Sequence, residues 1–140
     1  MDDDERVKLF VKYIISGIAI KQNIIHFILS IFISLFAVFV TITIFILTKS
    51  ETQINLELKL IFLLILIVLY LSTTSFLFKI MARQQGSRNE WRNLAMNILR
   101  GKITSPEIID KQLQITETKY LGKYVHYEEK AKTYVENEIK

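Results

Sequence analysis

Two long apolar segments without a charged side chain constrain the fold of this chain more than any other feature. Residues 24–47 and 60–78 contain no Asp, Glu, Lys or Arg and are 24 and 19 residues long. As α-helices rising about 1.5 Å per residue they extend roughly 36 Å and 28 Å, comparable with a bilayer core of about 30 Å. A segment alone in lipid must satisfy its own backbone hydrogen bonds, which favours the helix. The pattern predicts an all-α membrane protein with a two-helix transmembrane hairpin.

The remaining residues form three short parts around this hairpin. We expect an amphipathic interfacial helix over residues 1–23, a short external turn over 48–59 and a cytosolic helical module over 79–140. Neither flank is long enough for an ordinary enzyme domain. The first apolar segment follows an acidic start and is too long for the apolar region of a signal peptide. We therefore expect transmembrane helix 1 (24–47) to remain as an uncleaved anchor ahead of transmembrane helix 2 (60–78).

Lysine and arginine are concentrated on the two flanks rather than in the external turn. The N-terminal flank holds four, the turn two and residues 79–102 six. The positive-inside rule then predicts a multi-pass protein of the cell membrane with both termini in the cytoplasm. A nucleic-acid partner is not expected, because the position beside a span already accounts for the basic stretch. Three basic side chains after the second span are expected to meet anionic lipid headgroups: Lys79, Arg83 and Arg88.

Small and polar residues of the first span fall on one helical face. We call this face the small-residue stripe; its members are His26, Ser30, Ser34, Ala37 and Thr41. Small residues let helices approach closely and hydroxyls can bond across the contact, so the stripe predicts a packing seam within the hairpin or between protomers. The alternative is the polar lining of an oligomeric pore. We interpret His26 as an interfacial or packing residue, with gating or pH sensing as the alternative.

Polar residues return near the end of the second span. Ser72 and Ser75 belong to this group, which an antiparallel hairpin brings to about the depth of Ser30 and Ser34. We therefore expect this polar group to meet Ser30 and Ser34 in the inner leaflet. Its members are Tyr70, Ser72, Thr73, Thr74 and Ser75. Each interhelical hydrogen bond in lipid contributes about 0.6 kcal/mol, so such contacts would set register more than stability.

The N-terminal flank has the periodicity of an amphipathic helix. One face carries the apolar residues Val7, Phe10, Val11, Ile14 and Ile18. This spacing predicts a helix lying in the inner membrane interface, or alternatively one packed on the cytosolic module. Residues 21–23 are expected to turn the chain into the membrane.

Glycines and capping residues divide the C-terminal flank. Gly86 is expected to end a helix, and residues 87–90 read as a capping box for the next one, which Gly101 ends. Ser105 and Pro106 then begin a long helix that is expected to run to near the terminus.

The long C-terminal helix carries a stripe of tyrosines at a spacing of mostly seven residues. The helix predicted before it is too short to cover this tyrosine stripe, so at least half of the stripe is expected to lack an intrachain partner. Tyrosine is enriched at interfaces, and an uncovered stripe favours self-association or docking on another subunit. The partner-contact candidates, with the tryptophan of the shorter helix, are Trp91, Tyr120, Tyr124, Tyr127 and Tyr134.

The sequence carries no recognisable catalytic constellation. It has no Cys, no Gly-rich phosphate loop, no nucleophile with a plausible His and acid, and no metal-ligand spacing. We therefore expect no enzymatic activity, no cofactor and no metal.

The leading functional hypothesis is a non-enzymatic membrane subunit or adaptor that assembles through its cytosolic helices. The alternative is a homo-oligomeric channel or pore-forming effector. The order of elements is similar to that of two-span mechanosensitive channels, but the first span lacks their Gly/Ala-rich packing. It is also similar to that of small two-span effector proteins, without a shared motif.

Overall fold

Helices are the only regular secondary structure in the residues that the computed structural model of the chain describes, namely 2–50, 54–122 and 126–138. Four helices occur there: α1 (Asp3–Thr48), α2 (Leu56–Leu99), α3 (Pro106–Leu121) and α4 (Tyr127–Glu138). They form two compact units. We call residues 26–81 the apolar hairpin, and residues 1–25 together with 82–140 the helical module. The predicted all-α class is confirmed.

The apolar hairpin contains the two segments long and apolar enough to cross a membrane. The most apolar windows of α1 and α2 have mean hydropathies of 2.7 and 2.5, and none of their residues is buried. Phe27, Ile33 and Leu64 each expose about two thirds of their surface. The two helices contact each other through a narrow seam in which the rings of Phe39 and Tyr70 stack at 4.6 Å. Two candidate membrane spans are thus confirmed by length and composition.

The helical module has its own apolar core, to which all four helices contribute. The N-terminal part of α1 supplies Phe10 and Ile14, which are 1% and 0% exposed. Its apolar face therefore packs on the rest of the module, which was the alternative to a position in the membrane interface. The other core residues are Trp91, Leu94, Ala95, Ile98, Ile109, Leu113, Tyr127 and Ala131.

Helix α1 runs without a break from the module into the hairpin. Residues 21–23, where a turn was expected, are helical. That expectation was wrong, and the side chains of Lys21 and Gln22 have partners inside the module. Lys21 pairs with Glu117, and the Gln22 side chain accepts a hydrogen bond from Arg88.

Helix α2 likewise continues through Gly86, so the helix end and capping box expected at residues 86–90 were wrong. The ring of Tyr120 lies where a Cβ on Gly86 would stand, with its Cε1 atom 2.4 Å from that position. Gly86 therefore permits a close helix contact instead of ending the helix. The end at Gly101 is confirmed: this residue has φ of +70°, and the amides of Gly101 and Lys102 bond to the carbonyls of Ile98 and Asn97.

The C-terminal part contains two helices where one long helix was expected. Helix α3 begins at Pro106 after Ser105, as expected, but it ends at Leu121 because Gly122 adopts a left-handed conformation with φ of +65°. Helix α4 then begins at Tyr127, whose backbone amide donates to Asp110 Oδ1 at 2.9 Å. The break lets α4 return to the core of the module.

Candidate functional site

The carboxylate of Glu117 is the point at which all four helices of the module meet. Its Oε1 atom accepts hydrogen bonds from Lys21 Nζ on α1 at 2.7 Å and from Ser87 Oγ on α2 at 2.6 Å. Tyr127 on α4 also hydrogen-bonds to this side chain. Glu117, Lys21 and Ser87 are 4%, 7% and 0% exposed. We call these four residues the Glu117 cluster.

Aromatic rings surround the Glu117 cluster. Lys21 Nζ lies 4.7 Å from the centre of the Trp91 ring, within the range of a cation–π interaction. Tyr13 lies 5.9 Å from Trp91 and 6.1 Å from Tyr127, measured between ring centres. Burial, followed by the charge of Glu117, raises the pKa of both Tyr13 and Tyr127. Both phenols are therefore neutral donors at physiological pH.

The contacts within the Glu117 cluster offset the cost of burying two charges. Removing two charges from water costs several kcal/mol per ion, which close pairing and additional hydrogen bonds offset. Here Lys21 provides the opposite charge, while Ser87 and Tyr127 provide further hydrogen bonds. Loss of either charged partner would leave the other buried and unpaired.

A cleft in the module opens beside this cluster. It has a volume of about 240 Å³ and is lined in part by Gly17, Lys21, Gln84, Trp91, Glu117 and Tyr127. Gly17 allows Trp91 to lie against α1, because a Cβ at this position would stand 2.1 Å from the indole Cζ3 atom.

Two of the residues lining this cleft carry buried polar atoms without a partner. Gln84 Oε1 and Trp91 Nε1 make no hydrogen bond, and they are the only such buried side-chain atoms within the described residues. Buried donors and acceptors in native proteins are nearly always satisfied, so a pair of exceptions around one cleft is informative.

A second polar contact joins the N-terminal end of α1 to α3 and α4. Arg6 forms a bidentate pair with Glu128, at 2.9 Å and 3.0 Å, and its Nη1 atom also contacts Glu107 at 3.2 Å. The hydrogen bond from Arg6 lowers the pKa of Glu128, although partial burial opposes this shift. The pKa of Glu107 is lowered first by a hydrogen bond from Ser105 and further by Arg6.

Glu90 connects α2 with α3 at the module surface. It accepts hydrogen bonds from Lys119 at 2.9 Å, Tyr120 at 2.8 Å and Thr116 at 3.1 Å. The bond from Lys119 is the largest cause of its lowered pKa. Glu90 was expected to cap a new helix and instead holds α3 against a continuous one.

The small-residue stripe faces away from the contact between the two helices of the hairpin. All five of its members are exposed, whereas Phe39, two residues from both Ala37 and Thr41, faces Tyr70. Ser30, Ser34 and Thr41 donate their hydroxyl hydrogens to carbonyls one turn earlier on α1. The possibility of a seam within the hairpin is therefore contradicted.

The expected meeting of serines from the two spans is also contradicted. Ser72 and Ser75 are exposed on α2, and Ser30 and Ser34 are exposed on α1 with hydrogen bonds to their own helix. The contact between the helices instead includes the stacked rings of Phe39 and Tyr70.

Most of the residues expected to contact a partner protein make their contacts within the chain instead. Trp91 and Tyr127 are 3% and 4% exposed and belong to the core. Tyr120 packs on Gly86 and bonds to Glu90, and Tyr134 meets Tyr13 at 6.1 Å between ring centres. The expectation that half of the tyrosine stripe lacks a partner was wrong for these residues, because α2 covers Tyr120 and Tyr13 of α1 meets Tyr127 and Tyr134. Tyr124 lies outside the described residues.

Sequence reasoning missed Lys21, Ser87 and Glu117 as a cluster, although a signal was present. Lys21 continues the buried face of α1 three residues after Ile18, and Glu117 lies four residues after Leu113 on the buried face of α3. Charged residues of opposite sign at such positions of two helices favour a buried ion pair.

Lys79 and Arg83 are exposed, whereas Arg88 is half-buried and bonds to Gln22 and Asn89. In the described part of the chain, no group of three or more His, Asp or Glu side chains is arranged to hold a metal ion.

The fold and the cluster define an all-α protein with two helices long and apolar enough to cross a membrane and a separate four-helix module. No family model matches the chain, and no curated protein or solved structure is significantly similar to it.

Proposed function

We propose that this chain is a non-enzymatic, two-span subunit of the cell membrane that assembles with further membrane helices through the small-residue stripe. The observation that carries the proposal is the outward position of the stripe, opposite the seam between α1 and α2. Small side chains permit another helix to approach closely, and such contacts drive helix association in lipid.

The module is a less suitable place for the main assembly contact. Its aromatic residues at positions 91 and 127 are buried in its own core, so they offer little surface to a partner. This moves the expected contact from the cytosolic helices to the first span. The proposed partner is a second copy of the chain or another membrane subunit.

The charge distribution supports a topology with both termini in the cytoplasm. Six Lys or Arg residues follow the second span within residues 79–102, against two in the connection between the spans. Exposed Lys79 and Arg83 are suited to anionic headgroups at that boundary. Arg88, with its partners Gln22 and Asn89, is a weaker candidate for lipid contact.

Disulfide cross-linking in native membranes tests the assembly contact. The chain has no Cys, so a single introduced Cys reports only contacts between molecules. We expect Ser34→Cys to form a disulfide-linked dimer on mild oxidation. The matched control is Leu64→Cys, at an exposed position of α2 outside the stripe, which is expected to remain monomeric.

The cross-linking result has two outcomes that contradict the proposal. If Ser34→Cys forms no dimer while a known membrane dimer is oxidised under the same conditions, self-association through this face is contradicted. Equal cross-linking at residues 34 and 64 indicates random collision instead of a defined interface. A heteromeric assembly through the same face predicts a larger cross-linked product that contains one copy of this chain.

The second candidate is a homo-oligomeric channel or pore-forming effector. It is favoured by the polar character of the stripe, which combines three hydroxyls with the imidazole of His26. If the stripe lines a path, Ser34→Phe reduces ion flux through liposomes that contain the purified protein. Flux that is absent, or unchanged by Ser34→Phe, counts against a pore.

A further inference from the structure

A groove between the last part of α2 and α3 carries three amide side chains, and we call it the amide groove. Its volume is about 290 Å³, and Asn93, Asn97 and Gln112 are among the residues that line it. None of these three makes a side-chain hydrogen bond within the described part of the chain. The buried side chain of Leu94 and the exposed one of Ile115 form the apolar part of the lining. The groove therefore offers unused donors and acceptors beside an apolar surface.

The spacing of the two asparagines matches the repeat of an extended peptide. Asn93 and Asn97 are four positions apart on α2 and line the same groove, which places them about 6 Å apart along the helix axis. Main-chain groups on one edge of an extended chain repeat every second residue, or about 6.6 Å. A side-chain amide has both donors and an acceptor, so it can bond to the N–H and the C=O of a peptide. A helical partner has no such groups to offer, since its main chain is bonded internally.

The charges beside the amide groove favour an acidic occupant. Three exposed bases near it form no ion pair in the described part of the chain: Arg100, Lys102 and Lys111. The first two follow Asn97 just after the end of α2, and the third precedes Gln112 on α3. Glu90, the acid in the lining of the groove, is already paired with Lys119 at 2.9 Å. The positive charges therefore remain available to carboxylates of a partner.

We propose that the amide groove binds an extended acidic segment of a partner protein. The side chains of Asn93 and Asn97 bond to successive main-chain groups on one edge of the segment, and Gln112 bonds to the segment from the wall formed by α3. An apolar residue of the segment packs on Ile115, which is 56% exposed. From residue 90 to residue 100, α2 rises about 15 Å, which about four extended residues span. This binding property is independent of the proposed assembly through the first span.

The test measures the binding of labelled peptides to the purified full chain in detergent by fluorescence anisotropy. The main probe is a fluorescein-labelled hexapeptide in which Glu alternates with Val. Because recognition through the main chain tolerates different side chains, one acidic sequence is sufficient, and we expect saturable binding. The same peptide with every main-chain nitrogen methylated is expected to bind at least tenfold more weakly. A hexapeptide in which Lys alternates with Val is expected not to bind. Detergent micelles without protein provide the blank.

A first pair of variants tests the amides. Asn93→Ala combined with Asn97→Ala removes two amides that make no intrachain hydrogen bond. We therefore expect the thermal midpoint to be retained while the affinity for the acidic peptide falls at least tenfold. The control, Gln85→Ala, removes an exposed amide of α2 that does not line the groove, and it is expected to leave the affinity unchanged.

A second pair of variants tests the charges. Arg100→Gln combined with Lys111→Gln removes two exposed bases beside the groove, and we expect the affinity for the acidic peptide to fall at least tenfold. Arg83→Gln removes an exposed base of α2 away from the lining of the groove and is expected to have no such effect. Retained far-ultraviolet circular dichroism establishes that all four variants are folded.

Several outcomes overturn the proposal. They are no saturable binding of the acidic peptide, equal affinity for the methylated or the basic peptide, and equal loss in the asparagine and Gln85 variants. Binding that is lost in the charge variant but retained in the asparagine variant also contradicts it, and assigns the bases to anions in general, such as lipid headgroups. The comparison with the methylated peptide uses the unaltered protein, so the test remains decisive if a variant fails to fold. None of these results bears on cross-linking at residue 34.

Discussion

Lys21 Nζ donates to Glu117 Oε1 at 2.7 Å, although 96 positions separate the two residues in the chain. Both side chains are at least nine-tenths buried. Lys21 stands five residues before His26, where the hairpin begins, and on the same helix. The pair therefore ties the segment of α1 next to the first candidate span to α3.

Removing one member of this pair is expected to destabilise the module strongly. Lys21→Met and Glu117→Gln each leave a buried group without its partner, at a cost of about 3–5 kcal/mol. The double variant is expected to lose less than the sum, because no unpaired charge remains. Unfolding of the purified chain in detergent, followed by Trp91 fluorescence, measures the four members of this double-mutant cycle.

The control for this cycle is Lys119→Met, which breaks the ion pair with Glu90 at the surface. The Lys119 side chain is 59% exposed, and solvent-exposed pairs contribute little. We expect a small fraction of the effect of either buried substitution. Additive effects of Lys21→Met and Glu117→Gln would contradict a direct interaction.

The close contact at Gly17 reverses the usual effect of replacing a helix glycine by alanine. In an open helix position this change stabilises by about 1 kcal/mol. At residue 17 the new Cβ would stand 2.1 Å from Trp91 Cζ3, and overpacking a core costs about 1–3 kcal/mol. Gly17→Ala is therefore expected to lower the thermal midpoint.

Ala19→Gly, at an exposed position of the same helix, serves as the control for the glycine prediction because it reports helix propensity alone. Gly86→Ala is expected to destabilise less than Gly17→Ala, since the half-buried ring of Tyr120 has more room to move than Trp91. A rise in the midpoint for Gly17→Ala would show that Trp91 does not pack against α1.

Local patterns were sufficient to predict helices but not to choose their partners. The spacing of Phe10 and Ile14 identified the apolar face of α1, yet the same spacing suits a membrane interface and a protein core. Gly86 and Gly122 are both flanked by residues compatible with a helix. Only Gly122 ends one, because Tyr120 packs against Gly86 from another helix.

For a related reason, the positions of Lys21 and Glu117 on buried helix faces did not show that the two side chains meet. Ion pairs three or four residues apart on one helix can be read directly, whereas the partners of Glu117 come from three other helices. Their proximity depends on the return of the chain at Gly101 and Gly122. Whether the small-residue stripe faces α2 or points away from it also depends on tertiary packing, since the stacking of Phe39 on Tyr70 determines which face of α1 meets α2.

Acid is expected to weaken the contact between α1 and α4. The hydrogen bond from Arg6 lowers the pKa of Glu128 below its ordinary value of 4.5. The unfolded chain therefore binds a proton more readily than the folded one. The stabilisation is present above pH 4.5 and is lost as the pH falls through the lower pKa of the folded state.

Arg6→Gln separates this effect from general acid denaturation. We expect the variant to be less stable than the unaltered protein at neutral pH, with the difference shrinking as the pH falls below 4.5. Thermal midpoints measured across this range check the convergence. Arg92→Gln, which removes an exposed Arg of α2, is expected to show no such convergence.

Tyr13 and Tyr127 are expected to ionise late in an alkaline titration. Burial, followed by the charge of Glu117, raises the pKa of Tyr13 and Tyr127 above the ordinary value of 10.0. Since the unfolded chain loses these protons first, stability falls as the pH rises above 10.0. Ultraviolet absorbance of tyrosinate measures the ionisation, and Tyr127→Phe is expected to remove one late transition.

As a control, the same titration of the chain in denaturant gives the ordinary tyrosine pKa values. Loss of an early transition in Tyr127→Phe would show that this phenol is not buried beside Glu117.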